Sequence, residues 1–451
     1  MKAILLNGSS ENDATAERIR STLTAELASR GWEVNHILLR EEKIGACGGD
    51  FFCWIRDPGI CNVADDNRTL AAEIMHSDLM VYLTPVTFGG YSSQLKKLVD
   101  HQIQNVEPFF ATVAGETHHQ KRYPHYPDFL AVGWMERADP QEEAVFRELA
   151  HRNAINFYAR RAVTGVVLAD QPDEALRTAT RGWLDDLSKG KPYRAESLPE
   201  PAEAPAGIRP LKRAVLLVGS PRTRKSSSQS LGGYLFDQLA ARQVQTETFY
   251  IHTSLYSPQR MQALQDAVDA ADLVLLAFPL YVDSLPAPVI AALERIAARR
   301  RGQGGTRPRF AALVNCGFPE AAHNRTALAI CETFARQAGF DWAGALALGA
   351  GQGLVHGVPL AEAGGQATPI RKALDLAANA LAAGQVIPQS AVDLLARPII
   401  PAWLYRWMGV IGWRQQAKQY GVQNLLRRKA YANQNPSMFE KISAETSTRS
   451  S

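Results

Sequence analysis

Ala214-Val215-Leu216-Leu217-Val218-Gly219-Ser220-Pro221 repeats a pattern met earlier as Ala3-Ile4-Leu5-Leu6-Asn7-Gly8-Ser9-Ser10, with Gly8 and Gly219 lying 211 positions apart. In both copies a short apolar run breaks into a Gly-Ser loop. A second pair of landmarks follows, Asp78-Leu79-Met80-Val81-Tyr82-Leu83-Thr84-Pro85-Val86 and Asp272-Leu273-Val274-Leu275-Leu276-Ala277-Phe278-Pro279-Leu280, and here Pro85 and Pro279 are 194 apart. The difference, 17, is the length of Gly45–Cys61, which carries three cysteines and has no counterpart later in the chain. The sequence therefore reads as two related halves, one of them with an insertion.

Length agrees, since 451 residues suit two cores better than one. At 46% hydrophobic and 21% charged, the composition is that of a globular protein. Five cysteines, three of them crowded into the insertion, do not form a secreted disulfide framework. The chain opens on a strand pattern rather than a leader, and no apolar run is long enough to span a bilayer. A cytoplasmic location is expected.

Five prolines between Gly190 and Pro210 mark a spacer. The expected organisation is a first domain over 1–189, a linker over 190–210 and a second domain over 211–385. A basic helical extension over 386–432 and an unstructured tail over 433–451 complete it. Strands are expected at 2–6, 33–38, 79–83, 129–133 and 163–168, then at 213–218, 246–250, 273–277, 310–314 and 345–348. Continuous apolar runs alternating with helical patterns imply parallel sheets buried on both faces. Five strands per half suggest a doubly wound, flavodoxin-like α/β order, with ligands at the switch point between first and third strands. The Gly-Ser and proline loops follow those two strands and should meet in one crevice per half.

In the second half, Gly219-Ser220-Pro221-Arg222-Thr223-Arg224-Lys225-Ser226-Ser227-Ser228 offers hydroxyls, cations and a helix N-terminus, which suits a phosphate monoester. The spacing matches neither a Walker loop nor a dinucleotide fingerprint. A solvated turn with a Ser cap is the bland alternative. The first half's loop keeps Ser9, Ser10, Asn12 and Thr15, but Glu11 and Asp13 would repel a dianion. The proline loops rank the other way: Pro85-Val86-Thr87-Phe88-Gly89-Gly90 offers bare backbone to a planar ring, whereas Pro279-Leu280-Tyr281-Val282 offers an apolar, aromatic wall.

Together these loops resemble those of the NAD(P)H-dependent FMN reductase and multimeric flavodoxin family, through Thr84–Ser93 in one half and Phe278–Pro286 in the other. The resemblance implies FMN, with its phosphate at the hydroxyl loop and its ring at the proline loop, and a tandem fusion forming an intramolecular pseudo-dimer. It places the flavin site at Ser9, Ser10, Asn12, Thr15 and Pro85 to Gly90 in the first half, and at Ser220, Arg222, Ser226, Ser228 and Pro279 to Val282 in the second. Of the two, the glycine-bearing first half is the closer family match and the favoured flavin site. NAD(P)H is the implied co-substrate, passing hydride to the flavin and on to a small acceptor such as a quinone or free flavin. The flavin carries this chemistry, so no catalytic side chain is assigned. A flavin electron-transfer protein and a non-catalytic scaffold are the alternatives.

The insertion places Cys47, Asp50, Cys53 and Cys61 together, three thiols and a carboxylate. An iron-sulfur cluster ordinarily takes four thiolates, so metal binding there ranks below a loop of buried thiols covered by Phe51, Phe52 and Trp54. His118, His119, Arg122, Tyr123 and His125 fall in a loop before the fourth strand, and are read as surface or interface residues. Cys316 and Gly317 follow a strand at the ligand end, while Cys331 belongs to the core. From Leu394 to Phe439 there are seven Lys or Arg and no acid, which leaves the rest of a +4 chain at −3. Trp403, Leu404, Trp407, Met408 and Ile411 recur there at helical spacing. Docking on its own domain or a partner subunit is preferred over a membrane surface, and nucleic acid is not expected.

Overall fold

A computed structural model describes residues 1–190, 198, 211–302, 307–355 and 357–432 of the chain. The first half holds β1 (Lys2–Asn7), β2 (Glu33–Leu38), β3 (Leu79–Pro85), a pair β4 (Val106–Val113) and β5 (Glu116–Lys121), then β6 (Asp128–Met135) and β7 (Ala162–Leu168). The second holds β8 (Arg213–Val218), β9 (Gln245–Tyr250), β10 (Leu273–Pro279), β11 (Arg309–Asn315) and β12 (Asp341–Leu348). Five strands order as β2-β1-β3-β6-β7 and five as β9-β8-β10-β11-β12, every pairing within them parallel. These are two flavodoxin-like doubly wound sheets. The central strands are buried on both faces, because helices cover each sheet on either side. The expected linker and the C-terminal tail fall almost wholly outside the described residues.

One correction concerns β4 and β5. They form an antiparallel hairpin closed at Ala114 and Gly115, both with positive φ (50° and 86°), where a loop had been expected. His118 and His119 are therefore strand residues. His118 is buried against the second half, with its ring centroid 5.4 Å from that of His323.

The two halves pack on each other through equivalent helices. Helix Ser93–His101 packs on helix Ala287–Arg300, its counterpart in the second half. The Ala287 N–H donates to Asp100 Oδ2 at 2.8 Å, and reciprocally the Ser93 N–H donates to Glu294 Oε1 at 3.1 Å. One hydrophobic cluster runs through both halves at this seam, taking in Leu95, Leu98 and Val99 with Val289, Ile290 and Leu293. The C-terminal segment then returns to the first half. There the buried Arg122 guanidinium donates to the carbonyls of Leu426 (3.1 Å) and Arg428 (2.6 Å).

Candidate functional site

The carboxyl ends of β8, β10 and β11 open into a crevice. Its inner part, about 160 Å³, is lined by Pro279, Leu280, Tyr281, Val282 and Asp283 after β10 and by Asn315, Cys316, Gly317 and Phe318 after β11. The first half closes it with Cys47, Gly49, Phe51 and Trp54 from the insertion, His119 from the hairpin, and Asn156 and Phe157. An outer part of about 540 Å³ shares Phe51, Trp54, His119 and Gly317 with the inner one and reaches Arg222, Lys225 and Ser227. The crevice thus has a cationic, hydroxyl-bearing end and an aromatic end. A Cβ placed on Gly317 would meet nothing within 4 Å, so bare backbone faces the cavity there.

At the cationic end, the helix Ser227–Ala240 starts on Ser226, whose Oγ accepts from the Gln229 N–H at 3.1 Å and donates to the Thr223 carbonyl at 2.6 Å. Its first N–H groups and dipole favour an anion. Of the expected phosphate residues, Arg222 lines the crevice, while Ser220, Ser226 and Ser228 lie behind it. Ser220 Oγ accepts from the Arg222 N–H (3.3 Å), and Ser228 Oγ accepts from Asn315 Nδ2 (3.2 Å). Lys225 and Ser227 line the crevice and had not been assigned; the signal for them was the cap itself, since a capping Ser226 turns its hydroxyl inward and leaves its neighbours outward. Gly219 closes the strand-to-helix turn so tightly that a Cβ would sit 2.6 Å from Val289 Cγ2.

At the aromatic end the loop after β10 is a tight turn, with Tyr281 and Ser284 exchanging backbone hydrogen bonds and positive φ at Val282 (46°) and Asp283 (57°). A β-branched residue in that region is strained, and the first half holds it there. Lys96 Nζ donates to the Tyr281 carbonyl (2.8 Å), Asn153 Nδ2 to the Val282 carbonyl (3.3 Å), and Arg152 Nε to Asp283 Oδ1 (3.0 Å). Asn156 also donates to Asp283. None of these supporting residues was singled out from sequence as part of a site. They act across the seam, where no local pattern points.

The first half, whose proline loop was expected to be the better ring platform, is arranged differently. The equivalent turn, with φ of 55° at Phe88 and 83° at Gly89, is packed into protein. Phe88 meets Phe334 edge to face at 5.2 Å, a Cβ on Gly89 would lie 2.7 Å from Val145 Cβ, and one on Gly90 would lie 3.1 Å from Ile330 Cδ1. Ser9, Ser10 and Asn12 line a separate cavity of about 600 Å³ together with Asp13, Arg20, His36 and Arg40. Neither Thr15 nor any residue of Pro85–Gly90 lines it. Asp13 caps its helix, accepting from the Ala16 N–H at 2.9 Å, so a carboxylate sits where a phosphate would. Arg40 Nη1 donates instead to Ser9 Oγ at 3.3 Å.

Among the described residues no group of three or more His, Cys, Asp or Glu is arranged to hold a metal ion, so the set Cys47, Asp50, Cys53 and Cys61 is not gathered into such a site. Cys47 lines the inner cavity and Asp50 the outer one, Cys53 packs with Trp54, and Cys61 Sγ lies 3.4 Å from His101 Nδ1. Burial pushes the thiols of Cys47 and Cys53 up, and that of Cys316 up to about 11, which keeps them protonated at neutral pH. Burial likewise brings His119 down to about 3, so a neutral imidazole borders both cavities. Cys331 is core.

The family model for NADPH-dependent FMN reductase matches residues 1–117 and 213–356, more than half of the chain and once in each half. The chain belongs to that family. It is a tandem fusion of two flavodoxin-like domains in a family of flavin-dependent oxidoreductases, and FMN is the family's cofactor. Among curated relatives, an iron-sulfur flavoprotein of Methanocaldococcus jannaschii is 33% identical over 101 residues, covering 22% of this chain and 51% of that protein. Another, from Methanosarcina thermophila, is 26% identical over 103 residues, covering 23% and 53%. The chain thus spans about half the length of the curated relatives it matches. Similar solved structures include an NAD(P)H:quinone oxidoreductase from Methanothermobacter marburgensis (14% identity, TM-score 0.28, 39% of this chain and 96% of that one). An FMN-dependent NADH-azoreductase from Bacillus anthracis in complex with FMN is 10% identical (TM-score 0.29, 38% and 100%). The second half's crevice fits FMN by its own donor set, with Arg222, Lys225, Ser227 and a helix N-terminus for a phosphate, and aromatic walls with bare backbone at Gly317 for a ring.

Proposed function

We propose that the chain is an NAD(P)H-dependent oxidoreductase that binds one FMN, in the crevice of its second half, and passes reducing equivalents to a small acceptor such as a quinone or free flavin. The observation that carries this is the continuity of the crevice: cations at one end, aromatic walls at the other, and the first half acting as its lid. When bound, FMN supplies hydride chemistry between nicotinamide and acceptor. Arg222 and Lys225 neutralise the phosphate. Lys96, Arg152, Asn153 and Asn156 fix the loop Tyr281–Ser284 against which the ring rests. Phe51, Trp54, Phe157 and Phe318 exclude water, and His119 stays uncharged, so no fixed cation competes in the ring pocket. The outer cavity gives the nicotinamide and then the acceptor a common entrance, which suits alternate binding.

Anaerobic addition of NADPH or NADH to the FMN-loaded protein tests this. Rapid loss of the yellow flavin absorbance, followed by its return on adding a quinone, is expected. A flavin that neither nucleotide bleaches, but that one-electron donors reduce, would replace the proposal with an electron-transfer role. Protein that fails to retain added FMN would leave a scaffold.

A further inference from the structure

The helix Ala402–Lys418 has two unlike faces. One is docked on its own chain: Tyr405 Oη donates to the Gly317 carbonyl at 2.8 Å, a Cβ on Gly409 would fall 2.7 Å from Phe110 Cε2, and the Trp413 ring stands 5.3 Å from that of Trp54. The opposite face carries Trp403, Trp407 and Ile411, one helical turn apart, and these are 66%, 61% and 47% exposed. Large apolar side chains standing together in solvent mark an interaction surface.

Beside this face the same helix borders a groove of about 700 Å³ lined by Ile411, Arg414, Lys418, Phe109, Leu426 and Arg427. The guanidinium of Arg427 lies 4.9 Å and that of Arg414 6.0 Å from the centre of the Phe109 ring. Glu107 answers them, with its Oε2 3.4 Å from Arg427 Nη1, and Arg414 and Lys418 are exposed. A second copy of the chain would bring this basic rim against an identical one, which repulsion disfavours. A nucleic acid would leave the tryptophan and isoleucine row without an apolar partner. A bilayer with anionic headgroups satisfies both halves of the surface: indole rings and Ile411 at the acyl boundary, cations at the phosphates.

We propose that this face docks the protein on anionic phospholipid membranes, with Trp403, Trp407 and Ile411 entering the interface and the groove of Arg414, Lys418 and Arg427 taking phosphate headgroups. The sequence alone favoured docking of this helix on its own domain or a partner subunit; one face docks on its own domain and leaves the other free for the bilayer. Met408, on the same helix, lines the outer cavity of the flavin crevice, so docking sets the crevice mouth beside the membrane, where apolar acceptors dissolve. The docking itself does not depend on the flavin reading.

Sedimentation of the full-length, FMN-loaded protein with phosphatidylcholine vesicles, with and without phosphatidylglycerol, tests the proposal. Binding is expected only with phosphatidylglycerol, weakening with salt and accompanied by a blue shift of tryptophan emission. Each basic side chain at such a surface strengthens binding about fivefold, so R414E/K418E weakens it by at least ~25-fold. W403S/W407S abolishes the blue shift while flavin absorbance is retained, since neither residue lines the crevice. Three results would overturn the proposal: no binding to anionic vesicles, binding that both variants leave unchanged, or a lipid-free dimer that W403S/W407S dissolves.

Discussion

Ser226 and Ser227 are neighbours with opposite duties, and the difference is set by where a helix starts. Ser226 Oγ is spent on the cap, so Ser226→Ala costs about 1 kcal/mol of stability in urea unfolding and leaves the phosphate donors in place. Arg222 and Lys225 face the crevice, and losing a charged hydrogen-bond partner costs ~1.5–3 kcal/mol. Arg222→Ala and Lys225→Ala should each raise the FMN dissociation constant by roughly tenfold to a hundredfold, read by flavin fluorescence, with little change in unfolding. Glu116 offers a pH test. The His118 imidazole 3.6 Å away and the Arg152 guanidinium, which donates to it at 3.0 Å, bring its carboxyl down from the ordinary 4.5 to about 2 in the folded protein. The folded pKa is depressed, so its contribution is full above pH 4.5 and is lost as pH falls towards 2. Glu116→Gln should flatten that part of the acid-unfolding profile, measured by circular dichroism between those limits, and leave stability near neutral pH lower.

At the scale of elements, the strand-loop-helix units were legible because each carries its own signal: a fully apolar run, a glycine that must approach a helix, and a capping residue. The hairpin β4–β5 was not. Its second strand reads Glu116-Thr117-His118-His119-Gln120-Lys121, which alternates no apolar residues, because its buried side chains face polar partners in the other half rather than a core of their own. The glycines of the first proline loop were visible, but the packing around them was not: Gly89 has a positive φ and closely approaches Val145. Gly89→Ala should therefore destabilise the fold by ~1–3 kcal/mol in urea unfolding while leaving FMN affinity unchanged.

At the scale of the molecule, the second half cannot complete its site alone. The buried pair Lys96 and Asp100 sits on a first-half helix, and both members bond to second-half backbone, Lys96 at the Tyr281 carbonyl and Asp100 at the Ala287 N–H. Lys96→Met leaves a buried carboxylate without its cation and frees the ring-facing turn. It should cost ~3–5 kcal/mol in urea unfolding and weaken FMN binding as well, which distinguishes it from Gly89→Ala. The duplication was plain in the sequence, but the proposed division of labour was not, because it rests on side chains that each half contributes to the other. In the first half Asp13 and the packed turn at Phe88 oppose a flavin. In the second, Arg222, Lys225 and the turn at Val282 favour one. The most direct measurement is flavin content per chain in the wild type and in Arg222→Glu/Lys225→Glu. One FMN per chain, lost in that variant, is the predicted result. Two FMN per chain, or one that survives the variant and is lost in Arg40→Glu, would contradict the account.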